Sequence, residues 1–457
     1  MKKIFLREHF FITLLIVTSA SVIAQPPRGG APGAGSPSDE VLEAISISAY
    51  QPSEMADRIT LSISGDPSTE IAVNWRTSDN VVADTAKAEI TLAVGSPDLK
   101  DTPAITRAVD TSPLETGDYT SYHHSVIFED LEPNTKYAYR VGNAVLGADS
   151  EAETLWSEWA QFTTAASSTT ENVTPFSFIY FGDAQNDLKS HWSRVIREAY
   201  SDMPEAAFML HAGDLVNDRA GSDQEWGEWF YAGGWVNSAV PQIATPGNHE
   251  YTRDGVLTGW WRTHFAFPEN GPEGDDLGLN ETAYYFDYQG ARFISIDSQA
   301  MESNAEEDIA TAQVEWLTDV LSDNPNAWTI VYHHHPMWPA GNQRSQHPWL
   351  ESKFKDIYDK FGVDLVLQGH DHTYARGDNV GSGLPYYKGD AGPVYVVSVA
   401  GSKMYVSDAD WAEVASENLQ LYQIIDVSND QIRYRALTAD GAAFDEFSIE
   451  AGSDNQD

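Results

Sequence analysis

Val363-Asp364-Leu365-Val366-Leu367-Gln368-Gly369-His370-Asp371-His372 is a short apolar run that stops abruptly at a polar cluster. Four other runs after Pro175 behave alike. Phe176–Phe181 runs into Gly182-Asp183-Ala184-Gln185-Asn186, and Ala206–Leu210 leads to Gly213-Asp214-Leu215-Val216-Asn217. Val240–Ala244 precedes Gly247-Asn248-His249-Glu250, and Trp328–Tyr332 gives His333-His334-His335-Pro336. Between these runs the apolar period is helical: Trp192, Val195, Ile196 and Ala199 stand at i, i+3, i+4 and i+7. Leu350, Phe354, Ile357 and Phe361, and again Val314, Leu317 and Leu321, keep similar spacing. Buried strands alternating with amphipathic helices are the signature of an α/β domain. In such a sheet the carboxyl ends of the strands gather at one edge, where sites are built.

Together the five strand ends offer two Asp, one Asn and several His. These are oxygen and imidazole donors for two adjacent hard or borderline metal ions. The chain contains no cysteine, which excludes thiolate ligation, disulfides, iron–sulfur clusters and a cysteine nucleophile. Each fragment alone has a bland reading, since Gly-Asp is commonly a turn and Gly-Asn-His an Asx-type turn with a surface His. Their order, each at a strand end, points instead to a dinuclear centre. In Gly-His-Asp-His the two imidazoles, at i and i+2, can diverge to two ions.

Upstream the period is two. Ile59, Leu61 and Ile63 alternate with polar residues, as do Ile71, Val73 and Trp75, then Ile90, Leu92 and Val94, and Tyr137, Tyr139 and Val141. Turn clusters such as Gly65-Asp66-Pro67-Ser68 separate them, which predicts a β-sandwich over 55–164. Leu131-Glu-Pro133-Asn-Thr135-Lys-Tyr137 looks like the tyrosine corner of a fibronectin type III-like domain. A Ser/Thr-rich linker at 165–174 leads to a catalytic domain at 175–450, whose last strands, from about Leu419, close its sheet; 451–457 is a polar tail. Lys2, Lys3 and Arg7 followed by the apolar Phe10–Ala24 predict a signal peptide over 1–24 and a secreted or periplasmic protein. Residues 25–54 begin with a Pro/Gly/Ser-rich stretch and read as a flexible leader.

On these motifs the chain resembles the calcineurin-like metallophosphoesterase superfamily and, within it, the purple acid phosphatases. The resemblance implies an all-β sandwich followed by an α/β metallophosphoesterase domain of two packed mixed sheets flanked by helices. It implies that Asp183, Asp214 and His372 hold one ion, and that Asp214, Asn248, His334 and His370 hold the other, with Asp214 bridging. The family ligand lies two residues before Pro, which selects His334; His333 then points away and His335 replaces a small residue. His249 matches the family's proton donor or phosphate-stabilising His. His347, His335 and Arg376 are candidate substrate-binding residues, although Arg376 is better suited to bracing the His370–His372 loop through carboxylates. The iron-binding tyrosine of the second block is absent, since that block reads Gly213-Asp214-Leu215-Val216-Asn217. Asn217 or Gln185 is then a candidate neutral ligand or supporting group, and a divalent pair becomes plausible beside a mixed iron–zinc one, with iron, zinc or manganese as the metals.

The chain carries 69 acidic and 27 basic residues, a net charge of −42, which excludes non-specific binding to nucleic acid. Removing 1–24 takes this to −44, because three basic residues and Glu8 leave. No later segment reads as a membrane span, so no stable membrane insertion is expected, and no feature speaks to oligomeric state. The expected activity is secreted phosphomonoester hydrolysis through a dinuclear centre. A phosphodiesterase or nucleotide hydrolase on the same site is the alternative, and a binding protein that uses the sandwich with a dead metal site is the further one.

Overall fold

The computed structural model describes residues 49–451 apart from 83, 98, 100–103, 147–150, 168–172, 274–276, 304–306, 343, 345–346, 379–385 and 389–391. The expected signal segment, most of the leader and nearly all of the polar tail lie outside the described residues.

Two antiparallel sheets form the sandwich. Asp57–Ser62, Ile71–Ser78, Thr120–Phe128 and Asp110–Glu115 make one, in that spatial order. Ile105–Arg107, Lys87–Leu92, Lys136–Leu146 and Ala152–Trp156 make the other, with Ala160–Thr163 also paired to Lys136–Leu146. Alternation turns Leu61, Val73, Trp75, Ile90, Val126, Tyr139 and Val141 into one shared core. Leu92, the last residue of its strand, departs from the pattern and is 51% exposed. The Tyr137 hydroxyl accepts the Glu132 amide proton at 2.9 Å, which makes the tyrosine corner. Arg58 and Arg76 of the sandwich, both buried, reach Asp223 at 2.8 and 2.9 Å at the start of helix Asp223–Gly233.

The second part is two seven-stranded mixed sheets. In one, Gln242–Ala244, Met209–His211 and Phe176–Phe181 are parallel, and Leu421–Val427, Gln431–Thr438 and Ala443–Glu450 extend it antiparallel. In the other, Ala291–Ile296, Trp328–His333, Leu365–Gln368 and Val394–Val397 are parallel, flanked by antiparallel partners. Successive residues take opposite faces. Phe293, Ile330 and Leu365 enter the core between the sheets with Phe178 and Phe208, whereas Ile294, Val331 and Val366 meet Leu317, Leu350 and Phe354 of helices Glu307–Ser322 and Pro348–Phe361. Trp192, Val195 and Ile196, at and just before the start of helix Ser193–Asp202, belong with Tyr422 and Ile424 to the core that the first sheet shares. No helix among the described residues is long and apolar enough to cross a membrane.

Candidate metal centre

Because Phe176–Phe181 and Met209–His211 are parallel neighbours, Asp183 and Asp214 leave one sheet at the same edge. Trp328–His333 and Leu365–Gln368 are parallel neighbours too, and send His334 and the His370–His372 loop out of the other sheet. A Cβ on Gly247 would stand 2.3 Å from Asp214 Oδ1, and one on Gly369 would stand 2.4 Å from Asp183 Oδ1, so these approaches require glycine. Asp214 and His370 themselves adopt left-handed backbone, with φ of 52° and 67°. Such conformations cost non-glycine residues about 1–3 kcal/mol and persist where the surroundings over-determine them.

Two groups of donors converge there. Asp183, Asp214 and His372 form one, and Asp214, His334 and His370 the other, the chosen atoms in each lying within 4.8 Å of one another. His334 Nε2 lies 3.3 Å from Asp214 Oδ2, 3.3 Å from Asn248 Oδ1 and 3.1 Å from His370 Nδ1. His372 Nε2 lies 3.2 Å from Asp183 Oδ2. Two ligands each about 2.0–2.1 Å from one tetrahedral ion stand about 3.3 Å apart, so these are coordination-sphere spacings. The Ala212 and Lys403 carbonyls, each at 2.8 Å, engage Nδ1 of His334 and of His372 and leave Nε2 facing inward. Burial opposes a charge on His334, yet the Asp214 and Asp183 carboxylates push its pKa up to about 10. The cluster interior favours a cation, and its carboxylate, amide and imidazole donors suit a borderline divalent one.

Other residues that sequence reasoning singled out divide clearly. The Gln185 amide lies 2.7 Å from Asp214 Oδ2 and 3.1 Å from His372 Nε2, and its Oε1 is buried without a hydrogen-bond partner. Asn217 instead accepts from Asn186 at 2.6 Å, so of the two candidates Gln185 is the one brought to the donors. His249 donates its backbone N–H to Asp214 Oδ1 at 2.8 Å, its Nδ1 abuts the Asn217 carbonyl, and its Nε2 lies 3.9 Å from Asp214 Oδ2. His333 turns away: Nδ1 meets the His335 carbonyl at 2.7 Å, the ring stacks near Tyr358, and burial lowers its pKa to about 3. His347 lines the pocket over the donors, whereas His335 is fully buried behind it.

Of the two roles open to Arg376, the structure shows the brace through carboxylates and not the substrate contact. Its guanidinium is buried, held by Asp445 at 2.9 and 3.0 Å, by Glu413 at 2.9 Å and by the Tyr386 hydroxyl at 2.7 Å. With its donors committed to carboxylates, it is a brace and no substrate contact.

Sequence reasoning passed over several neighbours. Glu250 accepts the amide protons of Asp214, Leu215 and Gly247 at 2.7–2.9 Å and so fixes the Asp214 turn; its place beside His249 was the available signal. Arg219, Lys403, Tyr405 and Glu302 line the pocket with Arg344, in a cavity of about 290 Å³. They come from loops and a short helix that no periodicity marks.

Residues 56–164 match the model of the purple acid phosphatase N-terminal domain, and residues 177–374 match that of the calcineurin-like phosphoesterases. Purple acid phosphatase 23 of Arabidopsis thaliana is 24% identical over 323 residues, covering 64% of this chain and 64% of that protein. Acid phosphatase type 7 of Danio rerio is 26% identical over 279 residues, covering 56% of this chain and 57% of that protein. The chain thus spans less than two thirds of the length of either relative. A purple acid phosphatase from yellow lupin (Lupinus luteus) seeds shares the fold, with a TM-score of 0.68 at 16% identity over 87% of this chain and 75% of that one.

Proposed function

The chain belongs to the purple acid phosphatase-like branch of the calcineurin-like phosphoesterases, and from that premise we propose that it is a secreted phosphomonoesterase with a dinuclear metal centre. One observation carries this reading: Asp214 is common to both donor groups, as a bridging carboxylate must be. Asp183, Asp214 and His372, with Gln185 beside them, would hold one ion, and Asp214, Asn248, His334 and His370 the other. When bound, such a pair polarises phosphoryl oxygens and supplies a water acidic enough to attack phosphorus near neutral pH. The basic signal-like segment ahead of Gln25 supports export.

The protein's own groups supply the rest. Arg219, Arg344 and Lys403 at the pocket wall bind and orient the phosphate dianion. His249, its Nδ1 proton on the Asn217 carbonyl, presents Nε2 to the pocket and delivers a proton to the departing alkoxide oxygen. His347 lines the same pocket beside Glu302. The polar, cation-bearing lining of the cavity suits a phosphate monoester dianion.

Turnover of p-nitrophenyl phosphate and of its bis-ester, with metal analysis on the same sample, tests the proposal. Faster turnover of the monoester at two ions per chain supports it. Faster turnover of the bis-ester would make the protein a phosphodiesterase, and two ions without turnover of either would leave a binding protein.

A further inference from the structure

Beside the two donor groups lies a third, which shares His370 with the second and adds two histidines that the dinuclear reading does not use. One ring nitrogen from each of His335, His347 and His370 lies within 4.8 Å of the others. Helix Ser298–Ser303 supplies both an orienting group and a carboxylate one turn apart. Ser298 Oγ meets His335 Nδ1 at 2.9 Å, and Glu302 Oε2 stands 2.9 Å from His335 Nε2. The other Glu302 oxygen is 3.9 Å from His347 Nδ1, and the His335 and His347 ring centroids are 4.6 Å apart. Nε2 of His347 is buried with no hydrogen-bond partner, although buried polar atoms are normally satisfied.

We infer that His335, His347 and Glu302 form a third divalent-cation site at the wall of the same pocket. Two imidazoles and one carboxylate are a donor set for zinc, manganese or ferrous iron, and their 2.9 and 3.9 Å separations bracket the spacing of about 3.3 Å around one tetrahedral ion. The Glu302 side chain is 42% exposed, which gives an ion its way in. Arg344 stands against His370, and the dinuclear pair lies just beyond, so the third site fills last and most weakly. Because Glu302 and His347 line the cavity, the third ion adds positive charge where phosphate enters, and divalent-metal concentration then tunes substrate capture.

The test is a metal count on the full chain, stripped with chelator and titrated with Zn²⁺ or Co²⁺, followed by elemental analysis at defined free metal. The wild type should reach three ions per chain, the last at least tenfold weaker. His335→Ser and Glu302→Gln should each stop at two, with melting temperature tracking any loss of fold. A wild type that saturates at two, or a third ion that survives both substitutions, overturns the inference. A single ion that is lost in His335→Ser and kept in Asp214→Ala would support this site while sinking the dinuclear proposal.

Discussion

The backbone amide of His370 donates to Asp183 Oδ1 at 2.6 Å, joining residues 187 positions apart. That bond ties the loop leaving one sheet to the carboxylate leaving the other. It turns Asp183 Oδ2 toward His372 and holds His370 in its left-handed backbone. The donor set therefore exists only once the sheets have docked, and the aromatic core between them, Phe178 against Phe293 at 5.2 Å among others, is what sets ligand spacing.

If Asp214 serves both ions of the dinuclear centre, Asp214→Ala should abolish stoichiometric metal binding at that centre and lower kcat/KM at least a hundredfold. His333→Ala should keep both ions of the dinuclear centre, because that ring faces Tyr358. Elemental analysis of the two variants checks this, and a metal lost from His333→Ala but kept in His334→Ala would reverse the strand register.

A protein loaded with iron and zinc should show no tyrosinate-to-iron band in the visible range, because the second motif carries no tyrosine. Tyr405 is the tyrosine that lines the pocket, with its ring 4.7 Å from that of His372. A purple preparation bleached by Tyr405→Phe would identify it as a replacement ligand.

What was legible in the sequence follows from how local each signal is. Asp183, Asp214, Asn248, His334, His370 and His372 were readable because each ends a strand in a short motif, and strand ends meet at one edge whatever the loops do. Tyr137 was readable because its corner closes within six residues, on Glu132. Spacing could not choose between Gln185 and Asn217, since a side-chain torsion decides which amide reaches the donors. The partner of Arg376 could not be named because Asp445 lies 69 positions away, and Glu302 carried no signal because it sits outside every motif.

Arg376→Met should destabilise the fold by about 1–3 kcal/mol, the usual cost of removing a charge-assisted hydrogen-bond partner, since the Asp445 and Glu413 carboxylates keep some access to solvent. KM for a monoester should stay within about twofold, since Arg376 lines no part of the pocket. Denaturant melts and steady-state kinetics on one preparation separate the two effects. A large rise in KM with unchanged stability would return Arg376 to the substrate.

Burial lowers the pKa of His124 to about 4, and Thr77 and Thr111 occupy its two ring nitrogens at 2.9 Å each. A depressed histidine contributes stability that is complete above about pH 6.5 and lost as pH falls toward 4. Burial raises Glu281 to about 7, which acts oppositely: stability is present below the ordinary carboxylate range and lost as pH rises through 7. Tm measured from pH 7 to 4.5 should therefore fall less in His124→Asn than in the wild type, and more in Glu281→Gln. Parallel curves for all three proteins would mean that neither group stays buried.

The last prediction sets global against local charge. At −42, the chain repels an anionic ester at long range, over about 30 Å at 0.01 M salt and about 8 Å at 0.15 M. The pocket wall is the reverse. Arg344 is paired with Asp371 at 2.7 Å, but neither Arg219 nor Lys403 forms a salt bridge among the described residues. Their attraction acts over a few ångströms, inside the screening length at either salt, so added salt removes the repulsion first. For one dianionic monoester at fixed pH and metal, kcat/KM should rise about two- to threefold from 0.01 to 0.15 M NaCl. The double variant Arg219→Gln/Lys403→Gln should be about tenfold slower throughout and rise more steeply, since only repulsion is left to screen. A wild-type rate that falls with salt, and a double variant that is flat, would show instead that the two rim cations govern capture from a distance.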